Sequence, residues 1–304
     1  MEASYDDGRV HVTGDARQQL YDASGYGRPL DGDSVSLSPV ETAYLLSEGK
    51  LADVDGDGYA DFVRRAVEEA AVLRVYADLR DRGYYLDHDD DLRLYERGDH
   101  PANASPLTRD LAIDEDARIE VSSLPSLVAV ADDDGDITYF AVERLGPSGD
   151  FPEPSGNVRV ERRGGDEVVR NPAALEQPRY GAPVEGGRVL SDVETAYLCE
   201  RGFLKADQDY DVDDLLLAVY ADLRDRGTCP RTGFKFGSDF RVYETTDDDH
   251  AGLLVSAHDR DVSLSIVELS RVVRLAHGVR KRAVFALVDD GADVEYVAVE
   301  RERP

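Results

Sequence analysis

Near the end of the chain, Ile266, Leu269, Val273 and Ala276 recur at three- and four-residue steps, the apolar stripe of a helix. Ser265 and Glu268 have the spacing of a capping box that would start it. Beyond it, Arg280 to Val288 is β-prone, Asp289-Asp290-Gly291 has turn composition, and Val294 to Arg301 alternates as a closing strand. The pattern predicts helix, strand, turn and strand, with Lys281 at a strand start beside the helix end. Upstream, helices are expected at Glu41-Thr-Ala-Tyr-Leu45 and at Tyr76-Ala-Asp-Leu-Arg-Asp-Arg-Gly83, whose glycine suits a left-handed C-terminal cap. The class is mixed α/β, of α+β character.

Both upstream segments occur twice. Glu194-Thr-Ala-Tyr-Leu198 repeats the first, and Tyr220 to Gly227 repeats the second residue for residue. Tyr26-Gly-Arg-Pro-Leu30 is echoed by Tyr180-Gly-Ala-Pro-Val184, and Arg93-Leu-Tyr-Glu96 by Arg241-Val-Tyr-Glu244. Tyr139-Phe-Ala-Val-Glu-Arg144 matches Tyr296-Val-Ala-Val-Glu-Arg301. The order is kept throughout, so the chain is one ancestral unit copied in tandem. Residues 1–147 are expected to form the first copy, with subdomains of about 1–65 and 66–147. The Gly-, Pro- and Ser-containing stretch 148–157 reads as a linker. Residues 158–304 would form the second copy, with subdomains of about 158–210 and 211–304. Each copy would hold a small N-terminal αβ subdomain and a C-terminal αβ subdomain with a central sheet.

Charge changes this picture in one place. The net charge is −29, with 64 acidic against 35 basic residues, and the only lysines are Lys50, Lys205, Lys235 and Lys281. With 41% apolar residues and regular patterning, the chain is folded rather than disordered. An acidic coat poor in lysine suits molar salt, where charges are screened within roughly 3 Å at 1 M; a halophilic source is expected. Against that background, Arg271 to Arg282 carries five positive charges and no acid. Its plainer explanation is a cationic helix end placed against the helix dipole. Cys199 and Cys229 match no metal or disulfide spacing, and no metal or cofactor is expected. No apolar run approaches the roughly 20 residues of a membrane span, and the N-terminus lacks a signal peptide's pattern. A soluble, cytoplasmic protein is expected.

Residues that serve folding should survive in both copies, whereas chemistry can survive in one. The second copy has Gly233-Phe-Lys-Phe-Gly237, Asp239-Phe-Arg-Val-Tyr243, His250 and Ala276-His-Gly-Val-Arg-Lys281. The first keeps Tyr95 and His100 but lacks the glycine-flanked segment, and Leu124 falls opposite Lys281. Its Arg118 to Pro125 stands where the basic run would be. The first copy therefore reads as inactive.

These second-copy segments resemble the hallmarks of the tRNA-intron splicing endonucleases, over the whole chain, since that family includes forms in which a degenerate copy precedes an active one. Two departures are the short acidic interval between Tyr243 and His250, which leaves His258 as an alternative, and glycine at Gly278 where serine is usual. The resemblance implies cleavage of a precursor tRNA at bulge-helix-bulge junctions, by attack of a ribose 2′-hydroxyl on the adjacent phosphate. It assigns Tyr243 as base, His250 as acid and Lys281 as stabiliser of phosphorane charge, with a 2′,3′-cyclic phosphate and a 5′-hydroxyl as products. Tyrosine's ordinary pKa of about 10 is an obstacle that a nearby ammonium would ease. Arg274, Arg280 and Arg301 are expected to hold the RNA. A homodimer is also implied, with the acidic loop Asp132, Asp133 and Asp134 docking in a partner's basic cleft. The second copy's own Asp289-Asp-Gly-Ala-Asp293 makes an ordinary turn the simpler account of that loop.

Two rival functions remain open at this stage. One is a metal-dependent nuclease using the acidic clusters. The other is a non-catalytic RNA-binding or structural subunit. A calcium-like string at Asp53 to Asp61 resembles an EF-hand start, but its twelfth position is Arg64 rather than glutamate.

Overall fold

The computed structural model describes residues 1–89, 91–108, 112–156, 158–163, 166–170, 173–205 and 210–304; the last linker position, 157, lies outside them. The first half opens with strands β1 (Glu2–Asp6), β2 (Arg9–Thr13), β3 (Arg28–Pro29) and β4 (Val35–Leu37), paired in the order β1-β2-β4-β3. Helices α1 (Pro39–Ser47), α2 (Tyr59–Ala66) and α3 (Ala70–Asp81) follow. Then come β5 (Tyr85–His88), β6 (Leu92–Tyr95), β7 (Ala112–Asp114), β8 (Arg118–Glu120), β9 (Leu127–Ala131) and β10 (Ile137–Leu145).

The second half repeats the plan. Strands β11 (Val158–Arg163), β12 (Asp166–Val169), β13 (Ala182–Val184), β14 (Gly187–Leu190) and β15 (Leu204–Lys205) form the sheet β13-β14-β12-β11-β15. Helices α4 (Ala173–Glu176) and α5 (Asp192–Glu200) accompany it, and α6 (Asp214–Asp225) opens the following unit. That unit holds β16 (Cys229–Thr232), β17 (Phe240–Tyr243), β18 (Leu253–Asp259) and β19 (Ser263–Ser265), then α7 (Ile266–Gly278), β20 (Arg282–Val288) and β21 (Val294–Glu302). Capping boxes start α1, α5 and α7 at Ser38, Ser191 and Ser265, each answered by a glutamate three residues on.

The eight-residue identity between the copies has a structural explanation. Tyr76 and Leu79 in α3, like Tyr220 and Leu223 in α6, are buried in the core. Asp78 and Asp222 accept hydrogen bonds from Tyr139 and Tyr296 of the closing strands, at 2.5 and 2.7 Å. Burial and the adjacent carboxylate push both phenols far above their usual pKa, so they remain donors. Asp81 and Asp225 accept from Tyr44 and Tyr197 of the preceding subdomain, at 2.8 and 3.1 Å. Arg80 and Arg224 lie 3.9 and 3.8 Å above the rings of Tyr26 and Tyr180. Gly83 and Gly227, at φ of 88° and 76°, close both helices with Schellman bonds. Six of the eight positions in the motif thus tie each helix to the surrounding fold or close its end.

The two copies share one sheet. Its order is β16-β17-β18-β20-β21-β10-β9-β7, and the seam is the antiparallel pairing of β10 with β21 from Tyr139↔Glu302 to Leu145↔Tyr296. Helices α3 and α6 pack on one face, while α7 covers the other. The core under α7 draws Val128, Phe140 and Val142 from the first copy and Leu269, Val273, Phe285 and Val299 from the second. Among the described residues the first copy has no counterpart to α7. There β8 pairs with β19, and only a 3₁₀ turn at Val121–Ser123 separates β8 from β9. Arg118 to Glu120 therefore matches the strand before α7, which corrects the alignment of this stretch on the basic run. The basic helix is deleted rather than converted, and buried Leu124 stands near the position of Lys281.

The segment expected to be a linker is held tightly where it passes the second copy. Gly149 N–H donates to Arg226 O at 2.9 Å, Asp150 N–H to Glu244 O at 3.1 Å and Phe151 N–H to Gly227 O at 2.9 Å. A Cβ at Gly149 would lie 2.4 Å from the carbonyl oxygens of both Glu244 and Gly227. Gly149→Ala should therefore lower stability by more than about 1 kcal/mol, the scale of a backbone substitution its site cannot accept. Chemical denaturation at constant salt measures this, and an unchanged midpoint would show that the passage yields freely.

Candidate active site

The glycine-flanked segment between β16 and β17 folds as a 3₁₀ turn, Phe234–Phe236, closed by Gly237 at φ 67°. It leaves the Phe234 ring 88% exposed and turns Phe236 toward the end of α7. Helix α7 ends differently from α3 and α6. Its Schellman bonds run from Arg280 N–H to His277 O and from Lys281 N–H to Ala276 O, with Arg280 at φ 57° where glycine is usual. A side chain in the left-handed region costs on the order of 1 kcal/mol or more, and such strain gathers at functional sites. Here it fixes the backbone of Lys281 one residue before β20.

Tyr243, His250 and Lys281 line one cleft of about 380 Å³, together with Arg241, Arg280 and Phe236. Tyr243 is the last residue of β17 and is half-buried. Two guanidinium carbons flank its ring, Arg179 at 5.8 Å and Arg241 at 5.9 Å from the centroid. His250 is exposed and precedes β18, whose neighbour in the sheet is β20. Lys281 Nζ donates to Ala251 O and lies 5.7 Å from the centre of the Phe236 ring. Burial, and then the charge of Arg241, hold its ammonium below the usual lysine pKa.

Other expected residues lie differently. His258 sits toward the far end of β18, against Phe285 at 5.8 Å, and is not part of the cleft lining. Burial holds its pKa below the ordinary imidazole value. Of the three arginines expected to grip RNA, Arg280 borders the cleft. Arg274 is exposed on α7 and Arg301 is exposed near the end of β21, and neither lines it. Asp132, Asp133 and Asp134 occupy the turn between β9 and β10, where Asp132 O accepts from Arg74 at 2.8 Å. Asp289 to Asp293 makes the same pattern of turn bonds between β20 and β21. The calcium-like string is tied to the protein itself: Asp53 accepts from Gly56 N–H, Asp55 from Tyr5 N–H, and Asp57 pairs with Arg65 at 3.0 Å.

The first copy puts its matching residues to structural use. Tyr95 faces Tyr85 across the β5–β6 hairpin as Tyr243 faces Cys229 across β16–β17, but Tyr95 is buried. His100 packs edge-on against Tyr21 at 5.1 Å, and its Nε2 is 2.8 Å from Tyr21 O. Two arginines beside the Tyr243 ring, Arg241 in the cleft lining and Arg179 outside it, escaped the sequence reading. Arg241 was findable, because residues two apart on a strand share a face and it stands two before Tyr243. Arg179 reaches Tyr243 only through tertiary packing, and no local pattern announces it.

The family model described as tRNA intron endonuclease, catalytic C-terminal domain, matches residues 214–296, which include all three cleft residues above. The model described as tRNA intron endonuclease, N-terminal domain, matches residues 1–63. The chain is 38% identical to the tRNA-splicing endonuclease of Haloferax volcanii over 340 aligned residues, covering 100% of both proteins. It is 38% identical to the tRNA-splicing endonuclease of Natronomonas pharaonis, again over 100% of both. The corresponding protein of Halobacterium salinarum is 39% identical over 97% of each chain.

The depressed pKa of Lys281 can be read directly. Dimethylated lysines observed by carbon NMR should give one resonance that titrates below the usual lysine range and disappears in Lys281→Arg. An ordinary midpoint for that resonance would mean that its amine is neither desolvated nor close to Arg241.

Proposed function

The chain belongs to the tRNA-intron endonuclease family, and from that footing we propose that its second copy cuts intron-containing precursor tRNA with Tyr243, His250 and Lys281 as the reacting residues. The observation that carries this reading is their presence on the rim of one cleft. The activity is that of a tRNA-intron lyase, an endoribonuclease that excises introns, and the acidic coat fits the haloarchaeal relatives.

The attacking group is the substrate's own 2′-hydroxyl. Tyr243 takes its proton, with the guanidiniums of Arg179 and Arg241 beside its ring. His250, exposed and therefore able to exchange protons with solvent, protonates the departing 5′-oxygen. Lys281, its backbone fixed by the α7 cap, offsets the charge that builds on the phosphorane. A fixed ammonium and two proton carriers complete the reaction, with a cyclic 2′,3′-phosphate and a free 5′-hydroxyl as ends. Arg280 borders the cleft and is placed to touch RNA there; Arg274 and Arg301 would meet the substrate outside it. Bulge-helix-bulge junctions are the proposed targets.

Among the described residues each chain offers one such cleft, while an intron has two ends. A homodimer supplies both, with the turn Asp132 to Asp134 as the proposed contact. The cytoplasm is the proposed site of action, and among the described residues no helix is long and apolar enough to cross a membrane.

Lys281→Ala should cut the single-turnover rate by about 10²-fold or more, and His250→Ala by about 10²- to 10⁴-fold. His258→Ala should stay within a few-fold of the unmodified chain, and cleavage should persist in EDTA. Undiminished cleavage by Lys281→Ala, or loss of activity on chelation, would remove the mechanism. Reversing Asp132, Asp133 and Asp134 to lysine should yield monomers in sedimentation; an intact dimer would place the contact elsewhere.

A further inference from the structure

Arg241 leaves β17 on the same face as Tyr243, two residues away. Its counterpart in the first copy is Arg93, because Arg93 faces Asp87 across its hairpin just as Arg241 faces Arg231. In both arginines Nε is buried without a hydrogen-bond partner, so the two stems are held alike. The difference lies at the terminal nitrogens. Arg93 commits them to carboxylates, Nη1 at 3.3 Å from Asp87 and Nη2 at 2.5 Å from Asp91. Arg241 has no carboxylate at ion-pair distance among the described residues.

The cause is a reversal of charge across the hairpin. Where the first copy has Asp87, the second has Arg231, whose own Nη1 is engaged by Glu194 at 3.2 Å and by the carbonyls of Arg179 and Gly181. One exchange thus removes a counter-ion from Arg241 and adds a like charge beside it. Two neighbours reinforce this. Arg188 pairs with Pro183 where Val35 pairs with Pro29, and Arg179 precedes Tyr180 where Gly25 precedes Tyr26. Arg179 even adopts φ 57°, close to the 66° of Gly25, a conformation that glycine takes without strain. Arg179, Arg188, Arg231 and Arg241 thus gather beside the cleft together with Asp248 and Asp249, and among the described residues Arg241 has no ion-pair partner, whereas Arg93 has two.

We infer that Arg241 is a second phosphate-contacting cation of this cleft, its terminal nitrogens left free to hold a non-bridging oxygen of RNA at or next to the cleaved linkage. The assignment rests on the reading of Tyr243, His250 and Lys281 as the reacting centre. A guanidinium suits the task because its planar fork presents two parallel N–H donors to a phosphate, which an ammonium cannot. The same unpaired charge accounts for the part Arg241 plays in depressing the Lys281 ammonium.

The test uses the full chain with an intron-bearing precursor for rates and a 2′-deoxy analogue at the cleaved position for binding. Arg241→Gln should lower the single-turnover rate by about 10²-fold, the loss typical of one transition-state donor. It should also make the dependence of log affinity on log salt shallower by about 0.7, one phosphate of a single strand. Melting temperatures accompany each measurement. If the glutamine variant does not fold, Arg241→Lys carries the test: it should keep the salt slope while losing at least about tenfold in rate, because the paired donors are gone. A glutamine variant within twofold in rate and unchanged in slope, or a lysine variant at full rate, would overturn the assignment. So would an unchanged slope combined with loss of self-association, which would make Arg241 a protein contact. Lys281→Ala assayed alongside separates the two levels. If it is inactive while Arg241→Gln is normal, only the role of Arg241 falls; if it is fully active, the reacting centre itself was misassigned.

Discussion

The antiparallel pairing of β10 with β21 is the constraint on which the molecule turns. It makes two copies of one ancestral unit into a single eight-stranded sheet, so neither C-terminal unit has a free edge on that side. The shared sheet lets one helix, α7, cover apolar residues from both halves. Once that cover exists, a second such helix is dispensable, and the first copy has reduced it to a three-residue turn. Deleting it also removed the cationic run and the lysine at its end. The single covering helix and the core drawn from both halves thus go together with that pairing.

Positions common to the copies and positions that differ divide along physical lines. The common ones close the fold: tyrosines bonded to helix aspartates, arginines stacked on tyrosines, and buried glutamates that cap helices and receive Gly27 or Gly181 N–H. In the first copy, burial pushes the Glu41 carboxyl up to about 7, with Asp87 adding to the shift. In the second, Arg231 stands at the corresponding place and lies 3.2 Å from Glu194. That substitution links a structural carboxylate to the electrostatics of the cleft. An acidic coat and a cationic cleft can coexist because the coat is solvated and screened, while the cleft charges are partly desolvated and face one another.

Much of this was legible in the sequence because it is local. Capping boxes, glycine caps and the alternation of Val294 to Arg301 each fix a few neighbouring dihedrals, and α7, β20 and β21 appear where the pattern set them within two residues. The repeat itself foretold two units of like plan. Alternation along a strand gives its faces but not its partners, so the seam between β10 and β21 had no signature. Nor had the docking of Gly149, which depends on carbonyls from residues 227 and 244. In the cleft, Tyr243, His250 and Lys281 came from motifs. Arg179 could not, since its relevance lies in a ring 64 residues away in sequence that only folding brings within 5.8 Å.

The central claim is that one cleft, in the second copy alone, receives the phosphate at which RNA is cut. A structure of the chain with precursor RNA carrying a 2′-deoxy substitution at the cleaved position tests it most directly. The account predicts that phosphate within hydrogen-bond reach of the Lys281 ammonium, with the Tyr243 phenol facing the 2′-carbon and the His250 imidazole facing the 5′-oxygen. A phosphate seated elsewhere, with these three groups pointing away from it, would contradict the account.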